Sequence, residues 1–187
     1  MLVQVTLKVA DLFKRNVLKI VVDYGIDDYD LIFKSPGVVL PKDPEQYSCH
    51  FTSQMEVFFE AYRDRIIGIT GTKGKSTTTT LLYHILKKSG QDTVLAGNIG
   101  IPFFDILERI TPASRIVCEL SCHQLEYTHV SPHIGVLLNI HEEHLDHYGT
   151  MEKYIHSKQQ IYLHQKPQDL LFCGTDVIPA AGTCRSR

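Results

Sequence analysis

An α/β fold, a mostly parallel sheet with helices on both faces, is what this sequence predicts, and three observations predict it. Apolar runs of strand length recur along the chain: IIGIT from Ile66, TVLA from Thr93, RIVCEL from Arg115, IGVLLN from Ile134 and DLLFC from Asp169. Stretches of helical spacing separate them, and repeated βα units of that length need parallel strands joined by crossovers. Polar residues able to do chemistry collect just after the strands, at the edge where open α/β sheets place their ligands.

The elements follow in order. Val3, Val5, Leu7 and Val9 alternate with Gln4, Thr6 and Lys8, the period of a strand with one covered face. LKIVVDY and DLIFKSPG are further apolar runs, the second stopped by Ser35-Pro36-Gly37. Pro41 and Pro44 mark a loop, and SQMEVFFEAYR has helical spacing leading into IIGIT at Ile66 to Thr70. Helices are expected over Ser76 to Lys88, closed by Gly90, around Phe103 to Ile110, and from about Thr150 to Gln165. VIPAAGTCRSR has no periodicity. The expected division is a partial N-terminal domain and linker over 1–64, a central domain over 65–176 and an irregular tail over 177–187.

Composition narrows the classes. The chain has 187 residues, 43% hydrophobic and 21% charged, enough for a real core. A net charge of -2 with Lys and Arg scattered argues against a nucleic-acid partner. No apolar run approaches the ~20 residues that span a bilayer, and no charged-then-apolar leader is present, so a cytoplasmic protein with no membrane partner is expected. The five cysteines, Cys49, Cys118, Cys122, Cys173 and Cys184, form no C-x-x-C pair and read as reduced, mostly buried thiols.

ITGTKGKSTTTT at Ile69 to Thr80 carries the strongest chemical signal. A phosphate-gripping loop needs inward N–H groups, small residues, a helix start behind it and a lysine for the outer phosphates. Gly71, Thr72, Lys73, Gly74, Lys75, Ser76 and Thr77 supply these: the glycines give the tight path, Lys75 would reach the β and γ phosphates, and the Ser76 hydroxyl can meet Mg²⁺. Ile69 stands where the strict G-x-x-x-x-G-K-[ST] pattern has its first glycine. The bland reading is a glycine-rich turn.

Other residues leave alternatives open. Glu119 ends a strand and can hold Mg²⁺ or face water. HEEHLDH at His141 to His147 invites a zinc site from His141, His144 and His147, but its histidines are spaced by three, whereas H-E-x-x-H needs four. Met151, Ile155, Lys158, Tyr162 and Gln165 share a helix face that should pack on the sheet. Read from that face alone, Lys158 snorkels its amine to water. Asn98, in GNIG, is an ordinary turn residue or a close approach to a ligand.

GTKGKSTTT, KSPG at Lys34 to Gly37, GNIG at Gly97 to Gly100, ELSCHQLE at Glu119 to Glu126 and LNIHEEHLDHYG at Leu138 to Gly149 together resemble the Mur ligase family, which joins amino acids to the peptidoglycan precursor. The resemblance covers roughly Asp27 to Gly174, with the motifs in the family's order. Within the family, SPG with ELSCHQLE is most similar to the member that adds D-glutamate to UDP-N-acetylmuramoyl-L-alanine. The implied fold is a P-loop-type central domain preceded by part of a small Rossmann-like domain.

The resemblance also implies roles. ATP and Mg²⁺ are the cofactors, with Gly71 to Thr77 and Asn98 at the nucleotide, and Ser76 and Glu119 at a first Mg²⁺. His144 and a carbamylated Lys158 would hold a second Mg²⁺, so that Lys75, His144 and Lys158 are the catalytic set. Ser35, Gly37, Asn98, Ser121 and Gln124 fall on the UDP-sugar and muramoyl side. Two departures stand out: Glu143 occupies a place usually held by aspartate, and His123 one often held by phenylalanine. The γ-phosphate would activate the substrate carboxylate as an acyl phosphate, which the amine of D-glutamate attacks.

Family members have three domains, and the expectation here is a shortened first, a central one cut before its last strands and no third. Such a chain is expected to bind nucleotide weakly at best and not to complete ligation alone, and exposed sheet edges would favour its self-association. The rivals are a sister ligase, such as one adding L-alanine, a diamino acid or folate glutamates, a non-catalytic nucleotide-binding fragment, and, remotely, a His-rich zinc hydrolase.

Overall fold

The structure, a computed structural model, describes residue 26 and residues 29–186. The strand expected over Val3 to Val9 and the LKIVVDY run lie outside the described residues. Two short parallel strands, β1 (Leu31–Phe33) and β2 (His50–Thr52), pair Leu31 with His50 and Phe33 with Thr52. Helix α1 (Gln54–Tyr62) follows at once, its N-terminus capped by the Ser53 hydroxyl, which accepts from Glu56 N at 3.0 Å.

The main sheet has five parallel strands: β3 (Ile66–Thr70), β4 (Thr93–Gly97), β5 (Arg115–Glu119), β6 (Ile134–Leu137) and β7 (Leu170–Cys173), in the order β4-β5-β3-β6-β7. Between β3 and β4 runs α2 (Lys75–Lys88), and between β6 and β7 lie α4 (Leu145–Tyr148) and α5 (Met151–Leu163). The β3-to-β4 step crosses the sheet one way and every later step the other. Right-handed crossovers therefore put α2 on one face, and α5 with the helix at 103–109 on the other, as the sequence leads one to expect.

The runs that became β3, β4 and β5 are buried on both faces, the mark of a parallel sheet, whereas the edge strand β7 leaves Phe172 exposed. Ile66, Ile69, Ile116, Val117 and Cys118 are fully buried, and Phe58, Phe59 and Phe103 join α1 to the 103–109 helix, the last two edge-to-face at 5.9 Å. Three details add to the expectation. Phe103–Arg109 is 3₁₀ rather than α, and its start follows Pro102, which fixes an extended backbone there. The four-residue α3 (Cys122–Leu125) and α4 carry too little apolar periodicity to be read in sequence. The irregular tail packs down, with Val177 and Cys184 against the core.

Helix α2 buries only Thr79 and leaves Leu81 and Ile85 more than half exposed. No helix among the described residues is long and apolar enough to cross a membrane. All five thiols are free.

Candidate active site

Strand β3 pairs Ile69 with Glu119 of β5 on one side and Thr70 with Leu137 of β6 on the other. Because all three run parallel, the loop after Thr70, the end of β5 and the segment after β6 open on one edge of the sheet. The residues singled out by sequence at Lys75, Glu119 and His144 thus share that edge.

The loop turns through Gly71 and Gly74, with φ +155 and +84. Gly74 is the N-cap of α2 and has no capping side chain, so the N–H groups of Lys75, Ser76 and Thr77 have no intrahelical acceptor. Such a 14-residue helix start complements an anion. Asn139, directly after β6, holds the loop in shape. Its Oδ1 accepts from Thr72 N at 3.1 Å and Lys73 N at 2.9 Å, and its amide donates to Lys73 O at 3.1 Å. The Thr72 hydroxyl accepts from His141 N at 2.9 Å and lies 2.9 Å from Tyr154 Oη. Lys75 Nζ donates to the carbonyls of Gly71 and Thr72, each at 3.0 Å.

Glu119 is 2% exposed. One carboxylate oxygen accepts from Asn98 Nδ2 at 2.9 Å, and the other is buried with no hydrogen-bond partner. An orphaned buried carboxylate oxygen is costly. A hard divalent cation is the group that satisfies it, so the oxygen donors Glu119 and Ser76 fit Mg²⁺.

Lys158 is 1% exposed, which corrects the snorkelling expectation. Its Nζ stays inside because the Gly71 carbonyl accepts its proton at 2.9 Å and the Tyr154 ring lies 4.9 Å away. Burial, with the Lys75 charge adding, pushes its pKa down to about 8. A free amine is therefore within reach at neutral to mildly alkaline pH.

His144 adopts a left-handed backbone, φ +58, and its Nε2 lies 3.6 Å from Glu143. Burial opposes ionisation of Glu143, but the hydrogen bond and charge of Lys73, with His144 and Lys75, hold its carboxyl below the ordinary value. Glu143 thus links the loop lysine Lys73, at 3.3 Å, to His144. His141 does not join a histidine cluster; the ring beside His144 is His123, at 4.9 Å. Burial, then the charges of His147 and His144, lowers the His123 pKa.

On the substrate side, Ser35 and Gln124 line one cavity with Lys34, His123 and Glu126. Ser121 and Gln124 form a capping box for α3, so the Ser121 hydroxyl and the Gln124 side-chain carbonyl are already committed. Gly37 and Ser121 do not line the cavity. Sequence reasoning missed Asn139, Tyr154 and the Lys34–Glu126 ion pair at 3.1 Å. Asn139 obeys the after-a-strand rule, and Tyr154 sits one turn before Lys158 on the same helix; nothing in the sequence signals the pairing of Lys34 with Glu126.

Comparison with known proteins adds to this geometry. Residues 69–180 match the Mur ligase middle domain. A Clostridium kluyveri protein named UDP-N-acetylmuramoylalanine--D-glutamate ligase is 41% identical over 155 residues, 81% of this chain and 34% of the relative. One of the same name from Symbiobacterium thermophilum is 39% identical over 169 residues, 86% of this chain and 37% of its own. The solved structure of UDP-N-acetylmuramate:L-alanyl-gamma-D-glutamyl-meso-diaminopimelate ligase from Neisseria meningitides shares the fold, with TM-score 0.52 at 14% identity over 85% of this chain and 57% of that one. The chain spans about a third of the length of the curated relatives it matches. The matched segment holds the glycine loop, the orphaned carboxylate and the buried lysine alike, and the chain belongs to the Mur ligase family.

Proposed function

We propose that this chain carries the nucleotide-handling part of an ATP-dependent amide ligase that adds D-glutamate to UDP-N-acetylmuramoyl-L-alanine through an acyl phosphate. The observation that carries the reading is Glu119, whose unpartnered oxygen is buried on the sheet edge that also holds the uncapped start of α2. The names borne by the relatives support D-glutamate as the amino acid.

When bound, Mg²⁺–ATP would supply the phosphoryl group and the cation that offsets its charge. The protein's own groups then have defined tasks. The N–H groups of Lys75, Ser76 and Thr77 would cradle phosphate oxygens, and Lys75 Nζ, now on the Gly71 and Thr72 carbonyls, would neutralise charge on the transferred group. Glu119 and the Ser76 hydroxyl would hold the metal, with Asn98 fixing the carboxylate. His144 and Lys158 would be the further metal ligands, Lys158 once its free amine had added to CO₂ and released a proton to leave an anionic carbamate. Ser35 and Gln124 receive the sugar-peptide substrate.

Calorimetry with Mg²⁺–ATP tests this. Weak binding is expected, lost in Lys75→Ala, and no binding by the folded chain overturns the reading. ¹³C-bicarbonate should give a carbamate resonance that is absent in Lys158→Met.

A further inference from the structure

Next to His144, a second set of metal-binding atoms converges. His123 of α3, Glu126 just after it and His147 of α4 each offer a ligand atom, and these lie within 4.8 Å of one another. His147 Nε2 is 3.2 Å from each oxygen of Glu126. A tetrahedral ion with bonds of ~2.0–2.1 Å holds its ligand atoms about 3.3 Å apart. The Glu126–His147 edge already has that spacing, and the His123 ring needs to close by no more than about 1.5 Å.

We propose that His123, Glu126 and His147 form a site for a borderline transition-metal dication, of which Zn²⁺ is the type, distinct from the oxygen-lined Mg²⁺ site at Glu119. The donor chemistry makes the distinction. Two imidazoles and one carboxylate suit Zn²⁺, Co²⁺ or Ni²⁺ and leave a fourth position open, whereas Mg²⁺ prefers oxygen ligands and keeps its waters.

The surroundings hold these ligands in place. The side chains of His147 and Glu126 are only 10% and 11% exposed. His123 stacks on Tyr148, with centroids 5.6 Å apart and planes within 5°, and its Nδ1 lies 3.4 Å from Tyr148 Oη. Lys34 anchors the other oxygen of Glu126 at 3.1 Å, orienting the carboxylate as an outer partner does. Its ammonium also opposes a cation, which limits affinity but leaves Oε1 for the metal. The site is invisible in sequence because His141 and His144, the obvious partners of His147, are not the ones used. His123 comes from a stretch more than twenty residues upstream.

A neighbouring triad, Cys122, His123 and His144, shares one ligand and makes the alternative concrete. Its thiolate would be visible. Titrating the intact chain with Co²⁺ is therefore the test: the proposal expects d–d bands of four- or five-coordinate cobalt, no thiolate-to-metal charge-transfer band, displacement by Zn²⁺ and none by excess Mg²⁺. His147→Ala and Glu126→Gln should each weaken Co²⁺ by at least about tenfold, the scale that even outer partners of metal ligands command, and His144→Ala should leave it unchanged. If His147→Ala fails to fold, proton NMR of the native chain with Zn²⁺ decides, since the ring signals of His123 and His147 must shift and that of His141 must not. A thiolate band, loss of binding in His144→Ala, displacement by Mg²⁺, or no cobalt spectrum at millimolar metal overturns the assignment. None of these outcomes depends on nucleotide binding, so the Mg²⁺–ATP reading stands or falls separately.

Discussion

The ε-ammonium of Lys158 donates across 2.9 Å to the carbonyl of Gly71, tying α5 to the first residue of the glycine loop after β3. The same carbonyl accepts from Lys75 at 3.0 Å, so two cations share one acceptor. Helix α5 and the start of α2 are thereby linked through a single backbone oxygen, and anything that moves Lys75 toward a phosphate leaves Lys158 as that oxygen's donor.

Lys158 should make stability depend on alkaline pH. Its folded pKa of about 8 lies below the unfolded value near 10.4. Between the two, the unfolded chain binds more protons, so stability rises as pH passes from about 8 to about 10; below 8 the penalty for the buried charge is fully present. A shift of that size corresponds to at most about 3 kcal/mol, reduced by the hydrogen bond the ammonium makes. Lys158→Met should therefore be more stable than the parent at pH 7, and the gap should close toward pH 10. Urea unfolding of both proteins across that range checks it, and parallel curves would mean the ammonium is not desolvated.

Asn139 should prove as important to the loop as its glycines. Asn139→Ala removes one acceptor shared by Thr72 N and Lys73 N and one donor to Lys73 O. Because the site is partly wet, the expected loss is about 2 kcal/mol, or a Tm lower by roughly 4–8 °C. Nucleotide affinity should fall with it. Asn139→Asp keeps the acceptor and loses the donor, so it should recover part of the stability; a variant as poor as alanine would show that the acceptor is not what holds the loop.

Legibility followed the length scale of the signal. Five strands were read because each is a continuous apolar run, and α2 and α5 because three turns or more expose a period. Glu119, Lys75 and His144 were located by one rule, that they follow strands, and the parallel topology then delivers them to one edge. The Lys158 face was legible from spacing, but its depth was not: whether a lysine on a buried face snorkels depends on a carbonyl and a ring supplied by Gly71 and Tyr154. Similarly, His123 meets His147 at 4.4 Å only because α3 and α4 end beside each other, a tertiary fact without a local pattern.

Glu119→Gln should separate folding from function. The substitution keeps an oxygen for Asn98 Nδ2 and replaces a buried charge by a neutral amide at the unpartnered position. Burying a neutral group costs less than burying an ion, so the metal-free variant is expected to gain about 1 kcal/mol. Mg²⁺-dependent nucleotide binding should weaken at least tenfold, since an amide is a poor ligand for a hard cation. Thermal unfolding without metal, beside calorimetry with Mg²⁺–ATP, reads both. A variant less stable than the parent would mean that the carboxylate is already satisfied without a metal.

Gly97 gives the sharpest steric test, because β4 and β5 meet there beside Glu119. A Cβ on Gly97 would stand 2.2 Å from the main-chain oxygen of Glu119, and the residue already has φ +98. That oxygen accepts from Asn98 N at 2.9 Å, and Gly97 pairs with Glu119 in the ladder, so the backbone cannot yield without moving both Asn98 and Glu119. Gly97→Ala should cost roughly 2–4 kcal/mol and disturb Glu119 directly. Gly90→Ala is the control: at φ +83 it carries comparable backbone strain, but nothing lies within 4 Å of its added carbon. Its cost should be the left-handed strain alone, about 1–2 kcal/mol. Equal losses in the two variants would assign the whole effect to backbone conformation and remove the clash at Glu119 from the account.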